Sequence, residues 1–216
     1  MARSLAPLAI GLGLAQVAFA ATFVGPRDRF WSRMTSTGLG LGSYALVADP
    51  SLARRLRVKP SDVLVGLASA GILYGTFQFG DRFARRFVPA GGEDIEAIYG
   101  LRALRPRREV AARLAAVIAP AEELFWRGLI QETLMARCGR WRGAALAAAA
   151  YGGVHLVTGN FTLFGAAGVA GAHWCLLYAA GAPLGALLVS HVTWDVWIFL
   201  LQPTSRTATA LTHDAD

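Results

Sequence analysis

From Gly143 to Trp194 the chain runs 52 residues without one Asp, Glu, Lys or Arg. A helix in a soluble domain keeps a charged or polar face toward water, and this stretch has none to offer. The whole chain repeats the pattern: 55% of its residues are hydrophobic, 16% are charged, and the mean hydropathy is +0.43. Ordinary soluble domains carry about 25% charge. A disordered chain needs the opposite balance, low hydrophobicity and high charge. The expected class is therefore an all-α, polytopic transmembrane helix bundle with about six to seven spans.

A span needs about 20 mostly apolar residues to cross a hydrocarbon core of roughly 30 Å. Leu5 to Pro26 and Val63 to Gly80 carry no charge and qualify. Met34 to Ala48 is uncharged but short and rich in Gly, Ser and Thr, and is expected as a further span. Leu114 to Ala136 is apolar in outline yet holds Glu122, Glu123, Arg127 and Glu132. Gly and Pro punctuation divides the remainder into Gly143 to Val157, Phe161 to Ala180 and Pro183 to Leu201, with turns at 158–160 and 181–183. Between Asp81 and Arg113 lie eight arginines and the sequence Pro89-Ala90-Gly91-Gly92, read as a surface loop. An amphipathic helix around Asp94 to Arg105 would lie there in the membrane interface. The organisation expected is 1–110 for N-terminal spans and the Arg-rich loop, 111–202 for a helix core, and 203–216 for a polar tail.

The net charge is +7, and Lys59 is the one lysine among 21 basic residues. Such a balance suits nucleic acid in a soluble domain. Here the arginines sit between apolar segments and face anionic headgroups, so the expected surroundings are a lipid bilayer and no nucleic acid. With seven spans, twelve basic residues fall on the side of the 81–113 loop and eight on the other, which favours a cytoplasmic loop in a plasma membrane. The count becomes a tie if Met34 to Ala48 does not cross. Arg3, the apolar run Leu5 to Val17 and Ala18-Phe19-Ala20 have the layout of a cleaved signal peptide. A retained first span is preferred, because five or six further spans follow. Cys138 and Cys175 are too few for a disulfide scaffold or a four-cysteine zinc site.

Charges inside apolar segments are where chemistry is sought. Each costs about 2.5–3.5 kcal/mol at mid-bilayer, so Glu122, Glu123 and Arg127 unpaired would cost roughly 7–10 kcal/mol, comparable to the stability of a domain. Glu123 and Arg127 are i,i+4 with the glutamate first, the favourable order for an ion pair. Glu122 is turned from Glu123 by about 100° and cannot share the arginine equally. One glutamate then looks structural, and the other is free to face a cavity. His155 follows Tyr151 by four residues, and His191 and Asp195 share one face of the last span. A His–Asp pair at this spacing suits an oriented imidazole or two metal ligands. Each feature has a bland counterpart: a structural salt-bridge network, a satisfied core histidine, helix–helix glue. His173 belongs to no pair and reads as structural. Trp126, Trp174, Trp194 and Trp197 read as packing or interface anchors. The chain lacks HExxH, a P-loop, GxSxG and a dinucleotide glycine motif.

Taken in order, Glu122-Glu123-Leu124-Phe125-Trp126-Arg127 matches EExxxR, Tyr151-Gly152-Gly153-Val154-His155 resembles an aromatic-xxx-His motif, and His191-Val192-Thr193-Trp194-Asp195 matches His-xxx-Asn/Asp. The set resembles the CPBP family of CAAX proteases and bacteriocin-processing enzymes, also called Abi, over roughly Ala112 to Leu201. Tyr151 stands where phenylalanine is commoner. The resemblance implies an α-helical intramembrane endopeptidase acting on a membrane-associated protein, lipid-modified substrates among them. It implies Glu122 as general base with His155, Glu123 held by Arg127, and His191 donating to the oxyanion with Asp195 beside it. An ionised Asp195 accepts only, so it would have to orient His191, be protonated or bind a metal. Either no cofactor or a divalent metal such as zinc, bound by Glu122, His155, His191 and Asp195, is compatible with these residue types. Two non-peptidase alternatives remain: a catalytically silent membrane scaffold or regulatory partner, and a proton- or ion-coupled transporter.

Overall fold

The computed structural model describes residues 5–203, and among these every regular element is helical. In chain order the longer helices are α1 (Ala6–Phe23), α2 (Phe30–Ala48), α3 (Pro60–Phe87), α4 (Gly91–Tyr99), α5 (107–138), α6 (Arg140–Gly153), α7 (Phe161–Ala179) and α8 (Leu184–Leu201), with a single turn at Leu52–Arg55 between α2 and α3. The all-α expectation holds. Four helices, α1, α3, α7 and α8, are long and apolar enough to cross a membrane. Six to seven spans are not confirmed. The expected span beginning at Gly143 lies in α6, which ends at Gly153 after 14 residues. At 1.5 Å per residue that is about 21 Å, short of a bilayer core. The tail beyond residue 203, with His213, lies outside the described residues.

The 81–113 segment is more helical than a surface loop. α3 continues past Gly80 to Phe87, because Asp81 and Arg85 pair at 3.0 Å one turn apart and Arg85 also reaches Glu96 at 3.1 Å. Such i,i+4 pairs sustain a helix after its apolar stretch has ended. The amphipathic helix expected around 94–105 occupies Gly91–Tyr99 and is followed by a tight turn over Gly100–Leu104. α5 likewise starts at Arg107, ahead of the apolar run at Leu114, where Glu109 pairs with Arg113 at 2.7 Å.

α5 is the central element. Every residue of its wide, π-type stretch Glu123–Gln131 is buried. Close approach by α2 is permitted by Gly42, where a Cβ would meet the Ala121 Cβ at 2.9 Å. α1 adds Phe19, whose ring lies 6.4 Å from Trp126 and 5.1 Å from His155. α3 and α8 pack along each other, and α7 lies beside α6 with Cys175 and Ala179 against Ala144 and Ala147. Cys138 and Cys175 are both free thiols.

Candidate active site

Glu123 and Arg127 are fully buried on α5 and pair at 3.2 Å, as their spacing requires. The guanidinium carbon of Arg127 also sits 4.8 Å from the ring centroid of Tyr151 and 5.1 Å from that of Trp174. Arg127 is thus held by a carboxylate and two aromatic faces, which compensates a charge that hydrocarbon would expel. The same Glu123 oxygen, Oε1, receives His191 Nδ1 at 2.7 Å. A carboxylate accepts only, so Nδ1 carries the proton. His191 Nε2 stands 3.6 Å from Asp195 Oδ2, beyond hydrogen-bond range. The residue that orients His191 is therefore Glu123, 68 positions away, where the i,i+4 spacing had pointed to Asp195.

Glu122 makes a different set of contacts. Its Oε2 accepts the Tyr151 hydroxyl at 2.9 Å. His155 is in the tight turn Val154–Thr158 that follows α6, and its Nδ1 lies 2.9 Å from the Tyr151 carbonyl. A carbonyl oxygen only accepts, so Nδ1–H donates and the lone pair is left on Nε2. Aromatic rings pack His155 on further sides: Phe19, Phe23 and Tyr151, with centroids between 5.1 and 5.8 Å away.

A cavity of about 690 Å³ adjoins these groups. Glu122, Tyr151, His191 and Asp195 lie on its wall, together with apolar side chains that include Met34, Phe77, Ile95, Val169 and Phe199. Its volume falls in the range of ligand pockets, and its plan is theirs: hydrocarbon walls with a few convergent polar groups. His155 is not among the lining residues; it reaches the cluster through Tyr151. Glu123 and Arg127 stand behind the wall. The structure thus separates the two adjacent glutamates, one buried in the ion pair and one facing the cavity.

The four donors Glu122, His155, His191 and Asp195 do not form a cation site in this arrangement. Among the described residues no three His, Cys, Asp or Glu side chains gather closely enough to hold a metal. His155 and His191 each donate Nδ1–H, to the Tyr151 carbonyl and to Glu123, and keep the Nε2 lone pair free. It is the spacing of the side chains, and not their hydrogen bonds, that fits no zinc as they stand.

Two features escaped the sequence reading. The Tyr151 hydroxyl is one; its only signal was a phenol one turn before His155 in an apolar helix. The other is a polar chain through the charge-free half, where Ser69 Oγ meets His173 Nε2 and Ser190 Oγ at 2.8 Å each, and Trp174 Nε1 donates to Ser190 at 3.0 Å. His173 is accounted for by this chain, and Trp174, buried in it, also stacks on His191 at 4.0 Å.

Residues 109–197, about two fifths of the chain, match a protein-family model described as type II CAAX prenyl endopeptidase Rce1-like. The matched segment contains Glu122, Glu123, Arg127, His155, His191 and Asp195. No curated protein and no solved structure matches the chain. Through residues 109–197, an α-helical segment with charged groups gathered inside it, the chain matches the CAAX protease (CPBP) family.

Proposed function

We propose that this chain is an intramembrane endopeptidase that hydrolyses a peptide bond near the lipid-modified end of a membrane-associated protein. The observation that carries the reading is the wall of the 690 Å³ cavity, where Glu122, His191 and Asp195 face a space otherwise lined largely by hydrocarbon. The apolar wall suits a lipid chain, and the polar wall suits the adjoining peptide bond.

In this reading a water attacks the scissile carbonyl carbon while Glu122 takes its proton, and the proton then passes to the leaving amide nitrogen. Glu122 Oε1 is the available base, because Oε2 accepts from Tyr151 and Oε1 has no hydrogen bond among the described residues. His155 keeps its Nε2 lone pair free, its tautomer set by the bond to the Tyr151 carbonyl, and joins Glu122 through Tyr151. His191, anchored through Nδ1 on Glu123, presents Nε2 to the cavity; protonated there, it donates to the oxyanion. Glu123 supports that imidazolium, and Arg127 holds Glu123. No step requires a cofactor.

The test uses purified protein in proteoliposomes and a fluorogenic peptide with a farnesylated cysteine four residues from its C-terminus. Glu122→Gln is expected to lower cleavage by about 10²-fold or more, the usual weight of a general base, with thermal unfolding unchanged. His155→Ala should do the same. Full activity in either variant rejects the assignment.

A further inference from the structure

The side chain and backbone of Tyr151 each hold one of the two groups assigned to water activation. Its hydroxyl donates to Glu122 Oε2 at 2.9 Å, and its carbonyl accepts from His155 Nδ1 at 2.9 Å. The carbonyl bond is available to any residue at this position. The hydroxyl bond is not, and phenylalanine would lack it.

The ring itself is closely fixed. It meets Trp126 edge to face with centroids 5.3 Å apart and lies under the Arg127 guanidinium. On another side Gly171 makes room for it, since a Cβ there would come within 2.7 Å of Tyr151 Cδ1. The phenol oxygen therefore has little freedom, and neither does the carboxylate that accepts from it. With Oε2 engaged, Oε1 is the oxygen left for a water in the cavity. A carboxylate without that donor, beside walls that offer few others, can rotate and present either oxygen or neither in line.

We propose that the Tyr151 hydroxyl is a positioning group for the hydrolysis: it orients Glu122 so that one defined carboxylate oxygen faces the attacking water. This rests on the peptidase reading given above. It acts on the chemical step, because orientation of the base counts at the transition state, whereas substrate binding is set by the apolar wall.

Tyr151→Phe keeps the ring, its contacts and the carbonyl, and deletes the hydroxyl alone. With the farnesylated peptide in proteoliposomes, kcat is expected to fall about 10- to 100-fold, the span a hydrogen bond to a charged group carries, with KM within about twofold. Tyr44→Phe is the control. It removes a hydroxyl that donates to the Pro7 carbonyl at 2.9 Å, away from the cavity, and should leave both constants unchanged. Wild-type kcat in Tyr151→Phe, or a raised KM with kcat intact, overturns the inference while leaving the peptidase reading in place. Peptide cleavage that survives Glu122→Gln overturns the peptidase reading and this inference with it. Should Tyr151→Phe fail to fold, Gly171→Ala tests the same idea by displacing the ring. Its kcat should fall with KM unchanged, and an unchanged kcat overturns the proposal.

Discussion

Replacing Arg127 by methionine removes the only arginine partner, among the described residues, of a carboxylate with no exposed surface. Glu123 would keep His191 Nδ1 at 2.7 Å and lose the guanidinium at 3.2 Å, and Tyr151 and Trp174 would lose the cation between them. Truncating one member of a buried ion pair typically costs 3–5 kcal/mol, because the other charge is left unpaired. Insertion scales put a lone carboxylate at mid-bilayer at about 2.5–3.5 kcal/mol. The two cation–π contacts add about 1 kcal/mol or more, and a protonated His191 offsets part of the loss. The expected cost is thus about 3 kcal/mol, a large share of any domain's stability. Equilibrium unfolding in detergent micelles, followed by tryptophan fluorescence, reads it. The double variant Arg127→Met/Glu123→Gln removes both charges and should recover at least 1 kcal/mol of the loss, since neutral replacements leave nothing uncompensated. A single-variant cost below about 1 kcal/mol, or a double variant as costly as the sum of its parts, would refute the reasoning that this pair exists to neutralise itself.

Other expectations concern the cavity and its chemistry. Val169→Phe adds bulk to the apolar wall and should raise KM for the farnesylated peptide several-fold with kcat nearly unchanged; equal KM values would mean that the lipid lies elsewhere. Elemental analysis of the purified, active protein should find no stoichiometric zinc, and chelator should leave cleavage intact. A bound metal with chelator-sensitive activity would mean that the free Nε2 atoms of His155 and His191 and the nearby carboxylates draw closer together than described here.

The charge-free run of 52 residues was enough to place the chain among all-α membrane proteins, because a missing polar face is a property of composition alone. The number of spans was less accessible. Val63–Gly80 and 114–136 were bounded by where apolar residues stop, yet α3 and α5 extend into charged sequence on i,i+4 ion pairs that hydropathy scores only as a break. α6 fails in the other direction, ending at Gly153 in a tight turn although the sequence beyond it stays apolar.

The site divides along the same line. Motif spacing along one helix is a local, periodic quantity, so the Glu123–Arg127 pair and the different facing of Glu122 were readable from residue numbers. The partners of Glu122 and His191 were not. Tyr151 lies 29 residues from Glu122, and Glu123 lies 68 from His191. Those pairings depend on how closely and at what rotation α5, α6 and α8 meet. Their neighbours are seated by close approaches, α2 on α5 at Gly42 and Ala121 and α7 on α6 at Gly171 and Tyr151, where the absence of a side chain lets two helices come together. Periodicity says which residues share a face; only packing between distant segments says which faces meet.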